Sequence, residues 1–298
     1  MEIHIIDLHF QGIDHAIAAY LIKTSEGPVL IESGPHSSIE SLRKGLAAHN
    51  CGIADLRAVL LSHIHFDHAG AAWAIAAEGV PVYVHPKGKK HLAAPQRLYE
   101  SARRIYQDKM DQLWGAMEPI DEALLHCPDD RETVHIGDAT FTAHYTPGHA
   151  VHHIAWQLGD IIFTGDVGGV KIAHGPVQPP CPPPDIAVDD WMDSIDRLLQ
   201  LKPKTLYLTH YGAVSTPEDH LLQLREELLA WADWIKPHWE TNRDPKEVIP
   251  LFMDFVGQRL TKAGVPGTEV KVYEAANPAW MSVAGLMRYW QKRSEKEA

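Results

Sequence analysis

Leu61-Ser62-His63-Ile64-His65-Phe66-Asp67-His68-Ala69-Gly70 packs three imidazoles and a carboxylate into the six positions 63–68. Each neutral imidazole offers one free ring nitrogen, and Asp67 offers carboxylate oxygens; these are donors that zinc and iron(II) accept. A metal offsets the cost of desolvating four polar side chains together. The run before it, Leu56-Arg57-Ala58-Val59-Leu60-Leu61, reads as a strand buried on both faces. Ala69 to Ala77 reads as a small-residue helix. The motif therefore sits on a strand-to-helix loop at the carboxyl end of a strand, where open α/β sheets place their chemistry. His63 and His65 alternate by two and point the same way from extended chain. Asp67 and His68 fall in the turn and face a second point, so one loop can serve two metal ions.

Three further strands end in residues of the same kind. Phe141-Thr142-Ala143-His144-Tyr145 runs into Thr146-Pro147-Gly148 and then His149, with Gly148 allowing a tight bend. Ile161-Ile162-Phe163-Thr164-Gly165 ends at Asp166, and Thr205-Leu206-Tyr207-Leu208-Thr209 ends at His210. A single histidine at a strand end is weak evidence, since many serve as hydrogen-bonded structural residues. Three such ends following the first motif point to ligation as a set.

The whole pattern resembles the metallo-β-lactamase-fold hydrolase superfamily, which carries His-x-His-x-Asp-His followed by a His, a bridging Asp and a final His. All seven positions match: His63, His65, Asp67, His68, His149, Asp166 and His210. The resemblance covers roughly the first 214 residues. It implies an α/β (α+β) fold, an αββα sandwich of two mixed sheets packed face to face with helices outside. It also implies that His63, His65 and His149 hold one metal, that Asp67, His68 and His210 hold a second, and that Asp166 bridges them. Two divalent ions roughly 3.5–4 Å apart share a water and lower its pKa towards neutrality, giving a hydroxide nucleophile. Asp67 beside that water is the expected catalytic carboxylate, orienting it or taking its proton. A His/Asp set accepts zinc first, with iron or manganese as alternatives.

Departures narrow the reaction. The best-known zinc β-lactamases have Cys where this chain has Asp166, and flavodiiron proteins have Glu where it has His65. Acyl-homoserine lactonases are similar around Ser62–Gly70 but carry a Tyr three residues after the bridging Asp, where Gly169 stands here. The basic arm of the tRNA-processing nucleases has no counterpart. Thr146-Pro147-Gly148-His149 and the all-His/Asp set are most similar to the glyoxalase II branch, which hydrolyses thioesters, so a small ester-type substrate is expected. Lactones and phosphoesters remain open. The persulfide dioxygenases of that branch share nearly all these residues but use one iron, which makes a mono-iron oxidoreductase acting on a glutathione persulfide the alternative. A purely structural metal site fits poorly, because such sites are closed and rich in Cys. The segment Ala276–Trp290 resembles metal-dependent hydrolases of bacteria and archaea and supports the same fold. Many family members carry Asp in an early Asp-x-Gly turn; here the turn is Glu32-Ser33-Gly34, where Glu32 either orients a ligand histidine or faces solvent.

Composition agrees. The 298 residues, 45% hydrophobic, suffice for a large packed core. A net charge of −12 argues against nucleic-acid partners, since acidic surfaces repel phosphates. Three widely spaced cysteines, Cys51, Cys127 and Cys181, suit free thiols in a reducing cytoplasm. The N-terminus lacks the basic and apolar regions of a secretory signal, and no apolar run approaches membrane-spanning length.

Along the chain, residues 1–214 read as the catalytic domain and 215–298 as a helical extension, with Pro217 and Pro245 near helix starts. Ser38 is placed to cap a helix through Ala47. Residues 96–118 read as an inserted amphipathic helix with Leu98, Ala102, Ile105, Met110, Leu113 and Met117 on one face, expected to form a lid or the face of a homodimer. The Pro-rich stretch 175–184 cannot be helix or inner strand, and it follows Asp166 closely enough to wall the site. Asp189-Asp190 starts a helix carrying Trp191. His152 and His153 are read as pocket lining or buried hydrogen-bonding residues rather than ligands. Lys87, Lys89, Lys90, Arg103 and Arg104 are the cations available to a glutathione-type substrate.

Overall fold

The computed structural model describes residues 2–297. Two six-stranded mixed sheets lie face to face. The first holds β1 (Ile3–Asp7), β2 (Ala18–Thr24), β3 (Gly27–Ile31), β4 (Ala58–Leu60), β5 (Val82–Tyr83) and β6 (Leu125–His126) in sequential order. The second runs β12-β11-β10-β9-β8-β7, built from β7 (Thr133–Ile136), β8 (Ala139–Tyr145), β9 (Ile154–Leu158), β10 (Ile161–Phe163), β11 (Thr205–Leu208) and β12 (Gly212–Val214). β3 to β6 pair in parallel, as do β10 and β11; the other neighbours are antiparallel.

Strand periodicity explains the layers. Alternate side chains of a strand face opposite ways. Ala18, Tyr20 and Ile22 of β2, Ala58 and Leu60 of β4, Phe141 and Ala143 of β8 and Trp156 of β9 fill the space between the sheets. Their neighbours Ala19, Leu21 and Val59 face outward into a second cluster beneath the helices. That cluster takes in Leu42 and Leu46 of α1 (Ile39–Ala48), below the first sheet's helical layer. β4 is buried on both faces, as its apolar run predicted.

Helices cover the outside. α2 (Phe66–Ala69), α3 (Ala72–Ala76), α4 (Pro86–Ala93), α5 (Gln96–Tyr106) and α6 (Met110–Leu113) follow β4 and β5. α7 (Val188–Gln200) precedes β11, and α8 (Pro217–Glu240), α9 (Pro245–Lys262), α10 (Gly267–Ala276) and α11 (Ala279–Glu297) form the C-terminal helical region. Pro217 and Pro245 occupy first-turn positions, where a missing N–H costs nothing. Leu224, Trp231, Phe252 and Leu286 join these helices to the core that contains Leu206 and Leu208 of β11. None of the described helices is long and apolar enough to cross a membrane.

Two expected helices are interrupted. The segment expected over 69–77 is split into α2 and α3, because the Ala71 N–H turns to Gly34 O at 2.9 Å and leaves the helical ladder. The amphipathic stretch 96–118 breaks at Gln107, whose φ of 51° is left-handed, and beyond Leu113 it is irregular. Ala102, Met110 and Met117 are buried as expected, while Ile105 is exposed, because α5 turns the face of Tyr99, Ala102 and Tyr106 to the core. Ser38 stands at the N-cap of α1 but its side chain makes no capping bond.

Candidate metal centre

All seven expected residues come together at one end of the sandwich. His63, His65, Asp67 and His68 lie on the loop and short helix α2 that follow β4, and His149 follows β8. Asp166 lies on a 3-10 turn after β10, and His210 lies just past β11. In the first cluster, His63 Nε2 and His149 Nε2 lie 2.8 and 3.0 Å from His65 Nδ1. In the second, His210 Nε2 and His68 Nε2 lie 3.5 and 3.8 Å from Asp67 Oδ2. Asp166 stands between them: Oδ2 is 3.3 Å from His149 Nε2, and Oδ1 is 3.1 and 3.4 Å from His68 and His210 Nε2.

The tautomers follow from the partners behind each ring. His149 Nδ1 faces Pro180 O at 2.8 Å, and His210 Nδ1 faces Ala16 O at 2.8 Å. A carbonyl oxygen only accepts, so both Nδ1 atoms carry the proton and both Nε2 lone pairs face the site. His68 Nδ1 likewise donates to Glu32 Oε1 at 2.9 Å. Ser62 Oγ donates to Glu32 and accepts from His63 Nδ1 at 3.0 Å.

Glu32 settles the alternative left open by the sequence: it is wholly buried and points away from solvent. It also accepts from Ser62 N at 3.1 Å and Thr209 Oγ1 at 3.2 Å, tying together the chain segments that carry His63, His68 and His210. Sequence reasoning does not single out Ser62 or Thr209; each is a hydroxyl directly before a ligand-type histidine, which is the available signal. Trp191, expected only as a helix residue, packs edge-on against His149, and its indole N–H donates to Val167 O at 2.9 Å. Gly148, with φ of 136°, lets the chain pass against the Trp191 backbone, where any Cβ would collide.

His153 Nδ1 meets Thr146 Oγ1 at 2.8 Å and bridges the β8 end to the Asp166 turn; His152 is buried near Asp185. The Pro-rich stretch does wall the site, through Pro180. His85 accepts the first free N–H of α4, and His36 accepts from Ala116 N, so neither belongs to the centre. Tyr106 brings the insertion towards the centre: burial and the nearby Asp67 carboxylate raise its phenol, and its hydroxyl contacts Met281 Sδ at 3.4 Å. Among the described residues, none of the five cations Lys87, Lys89, Lys90, Arg103 and Arg104 forms an ion pair with Asp67 or Asp166; Lys89 pairs with Glu122.

Electrostatics divide the two clusters. Burial holds His63 well below the usual imidazole value, His65 at about 4 and His149 below the usual value, so the first cluster is neutral at pH 7. Burial would raise Asp166 and Asp67, but His68 and the other facing imidazoles outweigh it; Asp67 falls to about 2 and Asp166 lies well below the carboxylate range. The same partnership raises His68 and His210 against the effect of burial, with Asp166 the leading cause. His68 Nε2, His210 Nε2 and Asp166 Oδ1 are buried, with the two nitrogens 3.1 and 3.4 Å from the oxygen, yet none is aligned in a hydrogen bond. Buried polar atoms are nearly always paired. Convergent, mutually misaligned donors are what a cation accommodates, so the residues fit a metal pair.

A face-to-face sandwich with a His/Asp cluster at the ends of its strands defines an α/β protein with residues able to hold metal ions. Residues 12–210 match the model of the metallo-beta-lactamase superfamily, and the chain belongs to that superfamily. It is 32% identical over 182 residues to the metallo-beta-lactamase fold-containing protein ST1585 of Sulfurisphaera tokodaii, covering 57% of this chain and 67% of that one. The crystal structure of ST1585 superposes with a TM-score of 0.63 at 28% identity, over 74% of this chain and 85% of that chain. The family protein TTHA1429 of Thermus thermophilus shares the fold over 99% of this chain and 94% of its own, with a TM-score of 0.68 and 18% identity. A hydroxyacylglutathione hydrolase of Vibrio cholerae is 26% identical over 161 residues, 52% of this chain and 48% of that protein.

Proposed function

We propose that the protein is a metal-dependent hydrolase that cleaves a small ester-type substrate, a thioester foremost, at a binuclear centre built from the seven His and Asp residues. The observation that carries this reading is the position of Asp166, whose two oxygens face different clusters at 3.1–3.4 Å. Bound divalent ions, zinc first and iron or manganese as alternatives, supply water activation near neutral pH and Lewis-acid stabilisation of charge on the attacked oxygen. The chain's part is to hold the Nε2 and Nδ1 atoms in place, through Pro180, Ala16, Ser62 and Glu32, so that little reorganisation accompanies the reaction. Asp67 is the most exposed of the carboxylates in the centre, with its side chain 21% accessible against 5% for Asp166. It faces both the second cluster and the open side, and is placed to orient the attacking water and hold its proton.

Similarity to a hydroxyacylglutathione hydrolase supports thioesters as the first substrates to try. A mono-iron persulfide dioxygenase, which shares nearly all these residues, is the alternative that the assay separates. The test is a panel of thioester, lactone and phosphoester substrates given to metal-loaded protein, with oxygen uptake on glutathione persulfide measured in parallel. Thioester hydrolysis that disappears in Asp166→Asn supports the reading. Oxygen uptake without hydrolysis, or hydrolysis untouched by the substitution, contradicts it.

A further inference from the structure

A cavity of about 340 Å³ opens between α8, α9 and the start of the Pro-rich stretch. Its volume lies at the small end of ligand sites. Glu227 and Trp231 stand one helical turn apart on α8, and Val256 and Arg259 one turn apart on α9, so each pair presents one face to it. Two polar groups in its wall have no hydrogen-bond partner among the described residues, and one of them, the Trp231 indole N–H, is buried. Gln178 is only 4% exposed, and its side-chain amide makes no hydrogen bond to any described residue. Trp231 is 1% exposed, and its indole N–H has no partner among the described residues. Native interiors rarely leave such groups unpaired without a water, an ion or a ligand to take them.

The charges around the cavity do not cancel. Arg259 is occupied by Glu227, through Nε at 3.0 Å and through a second guanidinium nitrogen. Lys262, exposed at the rim, has no ion pair among the described residues. The cavity thus offers one uncompensated positive charge, an amide donor, and apolar surface from Pro176 and Ala263, with the Trp231 indole buried beneath.

We propose that this cavity is a second binding site, for a small monocarboxylate with an apolar body. The carboxylate accepts from the Gln178 amide and the Lys262 ammonium, and the body lies on Pro176 and Ala263, above the buried Trp231 ring. The site adjoins the chain that shapes the metal centre. Gln178 and Val170 exchange two backbone hydrogen bonds of 2.8 Å, Val170 bridges to His210, and Pro180, two residues beyond Gln178, accepts from His149.

The test is calorimetric titration of the full, metal-loaded chain with benzoate and hexanoate, with benzamide and inorganic phosphate as controls, while the Trp231 indole N–H is followed by NMR. The expected result is one carboxylate site that shifts the Trp231 resonance. Lys262→Glu and Gln178→Leu should each weaken it at least about tenfold, the loss of one good charge-assisted contact, and Lys262→Glu should leave metal content and thermal midpoint unchanged. Absence of binding by both carboxylates at about 10 mM overturns the proposal. So does benzamide or phosphate binding as tightly as benzoate. A carboxylate seated at the metal centre instead would bind Lys262→Glu undiminished and be lost in Asp166→Ala, which also overturns it.

Discussion

The Nδ1–H of His68 donates to Glu32 Oε1 at 2.9 Å, with both residues wholly buried. Glu32 is also the shared acceptor of Ser62 and Thr209, so one carboxylate from the end of β3 orients residues on three other segments. Its left-handed φ of 64° is the backbone conformation that turns it inward.

Glu32→Gln should therefore weaken metal binding at the cluster of Asp67, His68 and His210 while the fold persists. Partners behind metal-ligating histidines are typically worth 10–100-fold in affinity. Titrating chelator-treated protein and variant with zinc will show it: the weaker binding step should move by roughly that factor. Identical isotherms would mean that Glu32 is only structural.

Replacing a residue of the centre itself should be more severe. His63→Ala and Asp166→Ala are expected to lower turnover at least about 100-fold, since metal activation supplies several kcal/mol of the barrier lowering. Circular dichroism should remain that of the native fold. Near-normal turnover in either variant would exclude the two-metal mechanism.

The C-terminal helix should matter to the centre at a distance. Ser282 Oγ accepts from Cys181 N at 3.3 Å, and the α-carbon of Gly285, one turn on, sits where a Cβ would collide with Cys181 O. Cys181 follows Pro180, the acceptor for His149. Gly285→Val should push α11 off this loop. Overpacking of this kind costs about 1–3 kcal/mol, which in a chain of this size lowers the thermal midpoint by several degrees. Calorimetry should also show lower metal occupancy; a fall in midpoint with full occupancy would separate α11 from the centre.

What could be read in advance depended on how local the physics was. The alternation in β2 and the apolar run of β4 reflect only which face each side chain takes, so they could be read from neighbours. The seven candidate residues were recognisable because a metal needs several donors, and four of them share one loop. The residues behind them are a different matter. Glu32 lies 30 positions from Ser62 and 177 from Thr209, and only the packing of the sheets brings them together. The split between α2 and α3 likewise depends on Gly34 O, a partner from another segment. Ile105 is exposed because α5 packs through Tyr99, Ala102 and Tyr106, and the turn at Gln107 ends the single helical period that placed Ile105 with Met110.

Acid should destabilise the fold through His220. Its Nε2–H donates to Gly168 O at 2.7 Å, and burial lowers its pKa to about 4. Above about pH 6.5 the ring is neutral folded or unfolded and contributes no pH dependence. Below that the unfolded chain binds a proton that the fold refuses until about pH 4, so stability falls across this window by roughly 3 kcal/mol. His220→Gln in metal-free protein should flatten that part of the denaturation profile relative to wild type. Parallel profiles would show that the proton uptake belongs to other histidines.

The most direct test of the binuclear centre is elemental analysis of protein purified without added metal or chelator, alongside Asp166→Ala. The geometry predicts two divalent ions per chain in the wild type and weakened retention of both in the variant, because one carboxylate faces both clusters. A single iron per chain, or two ions retained undiminished without Asp166, would contradict it.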